Sequence, residues 1–84
     1  MNENEARMIC DIVKAGKQHK SGHYHYGYTS FWYENSEKCF KYKTEDLSTN
    51  MFEPIVNIEN LTEDEFKQKL MKYYEYNKVV RELF

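Results

Sequence analysis

An aromatic-rich stretch between Ser21 and Thr44 most constrains the fold of this chain. Tyr, Phe and Trp recur through it without a proline, and such side chains favour the half-buried surface of a β-sheet. The polar run Glu34–Glu37 interrupts the stretch with the Asn and Ser that are typical of turns. The stretch therefore predicts a β-hairpin with strands near His23–Tyr33 and Lys38–Tyr42.

The register of this hairpin has two alternatives. A three-residue loop places Trp32 opposite Phe40, whereas a four-residue loop places Phe31 there. Because side chains alternate across a strand, one residue of slip exchanges the two faces of the sheet, and Gly27 is a candidate bulge. Aromatic residues occur on both faces in either register. Two short helices cover only one face of so small a sheet, so we expect some rings to be exposed or covered by another molecule.

Helices are predicted on both sides of the hairpin. Residues 3–15 have apolar residues at helical spacing, preceded by the capping-box pair Asn2 and Glu5. A second capping box at Thr62–Glu65 opens a helix that is expected to run to about Glu82. The residues at steps of four and three along this helix form its predicted core-facing stripe, which consists of Phe66, Leu70, Tyr73, Asn77, Val80 and Phe84.

The remaining segments complete the predicted fold. Pro54–Ile58 is a candidate third strand, residues 17–22 are a polar connection, and residues 45–53 are an acidic loop or single helical turn. A chain of 84 residues is long enough for one hydrophobic core. We therefore predict a single α+β domain over residues 1–84, with the order α-β-β-β-α. Its three-stranded antiparallel sheet would carry both helices on one face.

Charge is distributed unevenly along the chain. The net charge is only −2, but no Lys or Arg occurs between Glu45 and Phe66, where acidic residues concentrate. The start of the chain does not resemble a signal peptide, and no apolar run has membrane-spanning length. Two cysteines are too few for a disulfide scaffold. A cytoplasmic protein without membrane contact is the expectation.

Catalytic and metal-binding patterns are weak. His19, His23 and His25, with Cys10 or Cys39, could in principle supply nitrogen and sulfur ligands to zinc. However, neither a CxxC pair nor an HExxH helix accompanies them, so we predict neither a metal nor another cofactor. The sequence also lacks a nucleophile elbow or a phosphate-binding glycine loop. A non-catalytic protein is therefore expected.

One alternative function is the binding of single-stranded nucleic acid. The segment Tyr26–Phe31 resembles the aromatic-Gly-aromatic core of the RNP1 strand of RNA-recognition motifs, whose rings stack on bases. The resemblance covers these six residues, and the motif's leading basic residue is not in its place. It implies base stacking and phosphate contacts by residues of the hairpin. These are Tyr26, Tyr28, Trp32, Lys41 and Lys43.

Binding to a protein is the preferred hypothesis. Aromatic side chains are favoured interface anchors, and an acidic patch can steer association with a basic groove. The predicted contacts are Glu45, Asp46, Glu53, Glu59, Glu63, Asp64, Tyr74 and Tyr76. In size and composition the chain is similar to small phage and mobile-element inhibitors, such as anti-CRISPR and anti-restriction proteins. This similarity of type implies a basic nucleic-acid-handling enzyme as partner. The spare strand edge would also allow a homodimer.

Overall fold

The computed structural model describes residues 1–23, 25–50 and 52–84, and the prediction of a small α+β fold is confirmed. The predicted element order is wrong, because the order is α-β-β-β-β-α-α and the sheet has four antiparallel strands. The elements are α1 (Glu3–Lys14), β1 (His19–His23), β2 (Gly27–Glu34), β3 (Cys39–Asp46), β4 (Ile55–Leu61), α2 (Glu63–Tyr73) and α3 (Tyr76–Leu83).

Strand β1 is formed mainly by residues that were expected to be a polar connection, and its last residue, His23, was expected to begin the first strand of the hairpin, which begins at Gly27 instead. It pairs with β2, with His19 opposite Phe31 and His23 opposite Gly27. The His19 side chain is fully buried, and its ring stacks on Phe31 with centroids 4.3 Å apart. Its Nε2 atom meets the carboxylate of Glu82 in α3. Burying a polar group costs less when a partner of this kind bonds to it. Here the partner of Nε2 comes from the far end of the chain, whereas the buried Nδ1 atom has no hydrogen-bond partner among the described residues.

The central hairpin has a register different from both predicted alternatives. Tyr33 lies opposite Phe40, and the connection is the four-residue turn Asn35–Lys38, which begins one residue later than expected. Gly27 lies in register with both neighbouring strands, so the predicted bulge is wrong. Two observations explain why this residue is a glycine. Its φ is +138°, and a Cβ atom at this position would lie 2.1 Å from the carbonyl oxygen of Glu45.

Both predicted capping boxes are present. The Asn2 side chain accepts a hydrogen bond from the backbone of Glu5, whose carboxylate accepts one from the backbone of Asn2. Thr62 and Glu65 make the same reciprocal pair at the start of α2. These bonds satisfy donors that every helix start leaves without intrahelical partners.

The predicted single C-terminal helix is wrong, because it is interrupted between α2 and α3. Tyr74 has extended dihedral angles (φ −127°, ψ 150°), and its carbonyl oxygen accepts a hydrogen bond from the amino group of Met1 at 3.1 Å. The interruption changes which side chains face the core. Phe66 and Leu70 are buried as predicted, but Val79 and Leu83 continue the buried set. Tyr73, Asn77 and Phe84 of the predicted stripe are exposed.

The core lies between the helices and one face of the sheet. Phe31 and Phe40 point from β2 and β3 toward Phe66 of α2, and the rings of Phe40 and Phe66 stack with centroids 4.4 Å apart. The whole buried apolar cluster is Ala6, Ile9, Cys10, Val13, Phe31, Phe40, Leu61, Phe66, Leu70, Val79 and Leu83. Since strand side chains alternate, the intervening residues point to the opposite face. Among the described residues, no helix contributes to that face, which we call the helix-free face.

Candidate binding surface on the helix-free face

The helix-free face gathers most of the hairpin residues that the nucleic-acid hypothesis singled out. Strand pairing places Trp32 opposite Lys41, and Tyr28 lies four residues before Trp32 on the same side of β2. Lys43 follows Lys41 on the same side of β3, and all four side chains are partly exposed. Tyr26 is 71% exposed in the turn before β2, outside the strand pairing. The sheet therefore brings together four of the five predicted residues.

Cations on this face are held close to rings and carboxylates. Lys20 of β1 places its Nζ 4.6 Å from the centre of the Tyr28 ring, a cation–π contact. The Nζ of Lys41 lies 2.7 Å from a carboxylate oxygen of Glu37 and also donates to Asn60 Oδ1 at 2.7 Å. The hydrogen bond with Glu37 raises the pKa of Lys41, so the ammonium group stays charged.

A shallow groove of about 320 Å³ lies next to Trp32 on this face. Lys43 lines one side, and its Nζ lies 3.5 Å from a carboxylate oxygen of Glu45. Lys20 and Ser30 line the other parts of the groove. The groove thus combines the indole ring with two cations, one carboxylate and one hydroxyl group, which suits a ligand with both apolar and polar parts.

Strand β4 adds an aliphatic row to the same face. Val56 is 47% exposed and Ile58 is 55% exposed, and both lie on the side of Lys43, the residue opposite Ile58. Asn60 completes the row and receives the hydrogen bond from Lys41. On this face the charged side chains of Lys41, Lys43 and Glu45 in β3 separate the aliphatic row of β4 from the rings of β2, so the face combines apolar and charged groups.

The predicted acidic contacts are scattered over the molecule, and lysines neutralise most of them. Glu45 lies on the helix-free face, and Asp46 and Glu53 lie at the end of β3 and in the following loop. Glu59 lies on the opposite face of β4, where Lys69 Nζ approaches its carboxylate at 2.9 Å. Glu63 and Asp64 lie at the start of α2.

The stretch between Glu45 and Phe66 has no Lys or Arg of its own, but in the folded chain lysines from other segments lie beside its carboxylates. The ion pair of Glu63 with Lys14 joins α2 to α1 at 2.9 Å, and it raises the pKa of the lysine. Asp64 lies 3.5 Å from Lys67 one turn later. At Asp46, hydrogen bonds from the hydroxyl and backbone of Ser48 hold the pKa of the carboxyl below its usual value. The acidic interval therefore does not fold into a single uncompensated patch.

The two predicted aromatic contacts of the C-terminal helix differ in availability. Tyr74 is half-buried, and its hydroxyl oxygen lies 2.7 Å from that of Tyr42. Burial, and secondarily this hydrogen bond, strongly raises the pKa of Tyr74. Tyr76 is partly exposed, and its hydroxyl contacts the sulfur of Met8 at 3.9 Å. The neighbouring Tyr73 is 64% exposed.

The structure describes the side chains of two of the three histidines. His19 is buried against Glu82, and His25 is exposed in the turn. The side chain of His23 lies outside the described part. Within the residues described, no group of three His, Cys, Asp or Glu side chains could hold a metal ion. Likewise, none of the described helices is both long and apolar enough to span a bilayer.

Both cysteines are free thiols. Cys10 is buried in the core, and desolvation raises the pKa of its thiol to about 12. Cys39 is partly exposed at the start of β3. A buried thiol with a high pKa is a poor nucleophile and a poor metal ligand.

Sequence reasoning missed the contact of the buried His19 with Glu82, and it missed the strand that carries His19. One signal in the sequence was available, because Gly22 and Gly27 flank the short turn between β1 and β2. A Cβ atom on Gly22 would lie 2.2 Å from the carbonyl oxygen of Gly27. Paired glycines around a polar turn can mark such a close approach of two backbones.

Comparisons with protein-family models, curated protein sequences and solved structures give no match for this chain.

Proposed function

We propose that this chain is a non-catalytic protein-binding module that docks through the helix-free face of its sheet. The observation that carries the proposal is the number of apolar side chains that this face leaves exposed or partly exposed, namely Val56 and Ile58 of β4 and the rings of Tyr28 and Trp32 of β2, with Lys41, Lys43 and Glu45 of β3 between the two groups. Left in water, this apolar area contributes nothing to the stability of the monomer. Covering it with a partner recovers roughly 25 cal/mol per Å² of apolar surface.

The arrangement of the face also matches the usual anatomy of a protein interface. An indole ring is among the side chains most enriched at binding hot spots, and Trp32 lies in the central strand pair. Lys20 and Glu45 lie around it and would form a polar rim. Because both signs of charge are present, the rim favours a partner with a mixed surface.

The narrower form of the proposal is a phage-type inhibitor that occupies the basic groove of a nucleic-acid-handling enzyme. It needs negative charge that a basic partner can reach. Glu59, Glu63 and Asp64 each have a lysine within 4.0 Å, so a basic groove would have to displace that lysine. Asp46 and Glu53 are exposed, and no lysine or arginine pair is recorded for them in the described residues. The sheet face is therefore the better-supported docking surface.

A capture experiment followed by a binding titration tests the docking proposal. The immobilised protein is exposed to lysate of the organism that encodes it, with and without nuclease. A captured protein is then purified and titrated against the wild type, Trp32→Ala and Tyr73→Ala. We expect Trp32→Ala to weaken binding at least tenfold.

Tyr73→Ala is the matched control, because it removes a 64% exposed ring from a different surface. Circular dichroism and melting temperature establish that each variant is folded. Equal affinity of Trp32→Ala and wild type for the purified partner would refute docking through this face. A stronger loss in Tyr73→Ala would place the interface on the helices instead.

Single-stranded nucleic acid is the second candidate ligand, favoured by the clustering of Tyr28, Trp32, Lys41 and Lys43 on one face. Stacked bases would contribute roughly 1–3 kcal/mol each. Two features weaken this candidate, since Lys41 and Lys43 already pair with carboxylates and the net charge is −2.

Fluorescence anisotropy with labelled oligo(dT) and oligo(U) at low salt tests nucleic-acid binding. Binding that is lost in Tyr28→Ala and reduced in Lys41→Glu supports this candidate, whereas no anisotropy change with wild type excludes it.

A further inference from the structure

We propose that strand β4 pairs with β4 of a second copy of this chain, forming an antiparallel homodimer with a continuous eight-stranded sheet. Strand β4 is an outer strand of the sheet, and Ile55–Asn60 are all exposed. An outer strand presents unpaired backbone N–H and C=O groups along one side, and natural proteins usually protect it with lysines, a bulge or a very short length. Strand β4 has seven residues and no lysine, and its pairing with β3 is regular throughout.

The opposite outer strand is protected in ways that β4 is not. Strand β1 has five residues, includes Gly22 and Lys20, and packs against α3 through the contact of the buried His19 with Glu82. The two outer strands therefore differ in their capacity for pairing. Only β4 combines length, regular pairing and exposed β-branched side chains among the strands described.

A two-fold axis at Ile58 makes this strand self-complementary. Antiparallel pairing around that residue places Ile58 opposite its own counterpart, Asn57 opposite Glu59, and Ile55 opposite Leu61. Ile58 and Ile55 then meet apolar residues, Val56 lies opposite the side-chain amide of Asn60, and the single charged side chain of the strand also faces an amide. This arrangement also preserves the faces, because residues directly opposite each other in a sheet point to the same side.

The neighbouring registers that keep the two-fold axis are less favourable. Moving the axis to Glu59 places two carboxylates directly opposite each other, which is destabilising. Moving it to Asn57 places Ile55 against Glu59 and extends the pairing to Pro54, which has no N–H to donate. Charge and hydrogen bonding thus select the axis at Ile58.

The two ends of β4 are complementary in shape as well. At one end, Ile55 projects toward the helix side of the sheet and is 53% exposed. At the other end, β4 and α2 border an open groove of about 680 Å³, whose lining includes Leu61, Met71 and Tyr73. The proposed pairing puts the second copy's Ile55 opposite Leu61 and on the helix side, where it enters this groove. The symmetry repeats the contact, so each copy fills the groove of the other.

The homodimer does not depend on the docking proposal, but it would enlarge the same surface. Both helix-free faces would lie on the same side of the joined sheet, with the two Ile58 side chains in the middle. Trp32 lies two strands away from β4 and is not part of the dimer contact. The variant Trp32→Ala should therefore leave the dimer intact, so the two proposals can fail separately.

Analytical ultracentrifugation of the full chain over a range of concentrations is the first test. We expect the wild type to sediment as a reversible dimer and Ile58→Lys, which places two ammonium groups at the axis, to raise the dissociation constant at least tenfold. Circular dichroism establishes that the variant is folded. A wild type that remains monomeric at every concentration up to about 1 mM would overturn the proposal.

Cysteine cross-linking tests the register and remains informative if Ile58→Lys does not fold. Paired Cα atoms of antiparallel strands lie about 4.5–5.5 Å apart, within the range that a disulfide spans. In a Cys39→Ser background, Ile58→Cys should form a covalent dimer under mild oxidation. Val56→Cys is the matched control, because its counterpart would lie about 13 Å away along the strands. Equal cross-linking of the two variants, or none at Ile58→Cys, would refute this pairing.

Discussion

The hydroxyl oxygens of Tyr42 and Tyr74 lie 2.7 Å apart, and they connect the third strand of the sheet to the residue that separates the last two helices. The ring of Tyr74 also meets the edge of the Phe31 ring, with centroids 5.8 Å apart. An extended backbone at Tyr74 gives up helical hydrogen bonds. In exchange, it inserts an aromatic side chain between the helix layer and the sheet.

The first prediction concerns the stability supplied by this hydroxyl pair. Tyr74→Phe removes one hydroxyl group and leaves that of Tyr42 without its partner in a partly buried site. We expect the free energy of unfolding to fall by about 1–3 kcal/mol, the usual cost of an unsatisfied buried group. Urea denaturation measures the change, and Tyr73→Phe, at an exposed ring, should change stability by less than about 0.5 kcal/mol. Equal effects of the two substitutions would contradict this role.

The same pair predicts a dependence of stability on alkaline pH. Burial raises the pKa of Tyr74 above its unfolded value of 10.0. The unfolded chain therefore releases this proton first, and the contribution to stability is complete below about pH 10 and is lost as the pH rises beyond it. Denaturation curves between pH 9 and 11 should show this decline in the wild type. Tyr74→Phe should show a weaker decline, after allowance for the other titrating groups that both proteins share. An identical slope would argue against the shift.

The parts of the fold that could be predicted from sequence depend on neighbouring residues in the chain. The capping box of Asn2 and Glu5 marks the start of α1 because the bonds involved span three residues. The third strand was likewise predicted near Pro54–Ile58, and β4 extends from Ile55 to Leu61. Such short-range patterns determine where an element begins more directly than how it packs.

The parts that could not be predicted depend on contacts between distant residues. His19 is buried because Glu82, 63 positions later, meets its ring, so the polarity of residues 17–22 misleadingly indicated a surface connection. The helix interruption at Tyr74 has no proline or glycine to announce it. The lysine partner of Glu63 comes from α1, which explains why an acidic interval in sequence did not become an uncompensated acidic patch. In each case tertiary packing overrides the local pattern.

The contact of the buried His19 with Glu82 predicts a cost for removing the carboxylate. Glu82→Ala leaves the Nε2 atom of a fully buried imidazole without its partner. We expect a loss of about 1–3 kcal/mol in the free energy of unfolding, because the desolvated ring nitrogen then has no compensating hydrogen bond. Glu82→Gln retains an oxygen or an amide group at this position and should cost less. A greater loss in the exposed control Glu75→Ala would contradict the assignment.

The paired carboxylates predict how the acidic surface responds to charge reversal. Changing Glu59, Glu63 and Asp64 together to Lys places cations beside Lys69, Lys14 and Lys67. Surface ion pairs usually contribute about 0.2–1 kcal/mol each, so we expect a loss of roughly 1–3 kcal/mol in stability. Stopped-flow mixing with the purified partner should show an association rate like that of the wild type if docking uses the helix-free face. A marked slowing with lower salt sensitivity would instead support the acidic, basic-groove form of the proposal.

The last prediction tests the close approach of backbones at the end of the two central strands, where β2 begins and β3 ends. Gly27→Ala would place a methyl group 2.1 Å from the carbonyl oxygen of Glu45 at a φ of +138°, so β2 and β3 would have to separate. We expect a loss of about 2–4 kcal/mol in the free energy of unfolding. Gly16→Ala is the matched control, because its φ is also positive (+108°) but no atom lies within 4 Å of the added methyl group. The difference between the two variants in the free energy of unfolding, measured by urea denaturation, gives the cost of the steric clash at Gly27. The cost of a positive φ is common to both variants. If Gly16→Ala were as destabilising as Gly27→Ala, the close pairing of Gly27 with β3 would not be needed to explain the glycine.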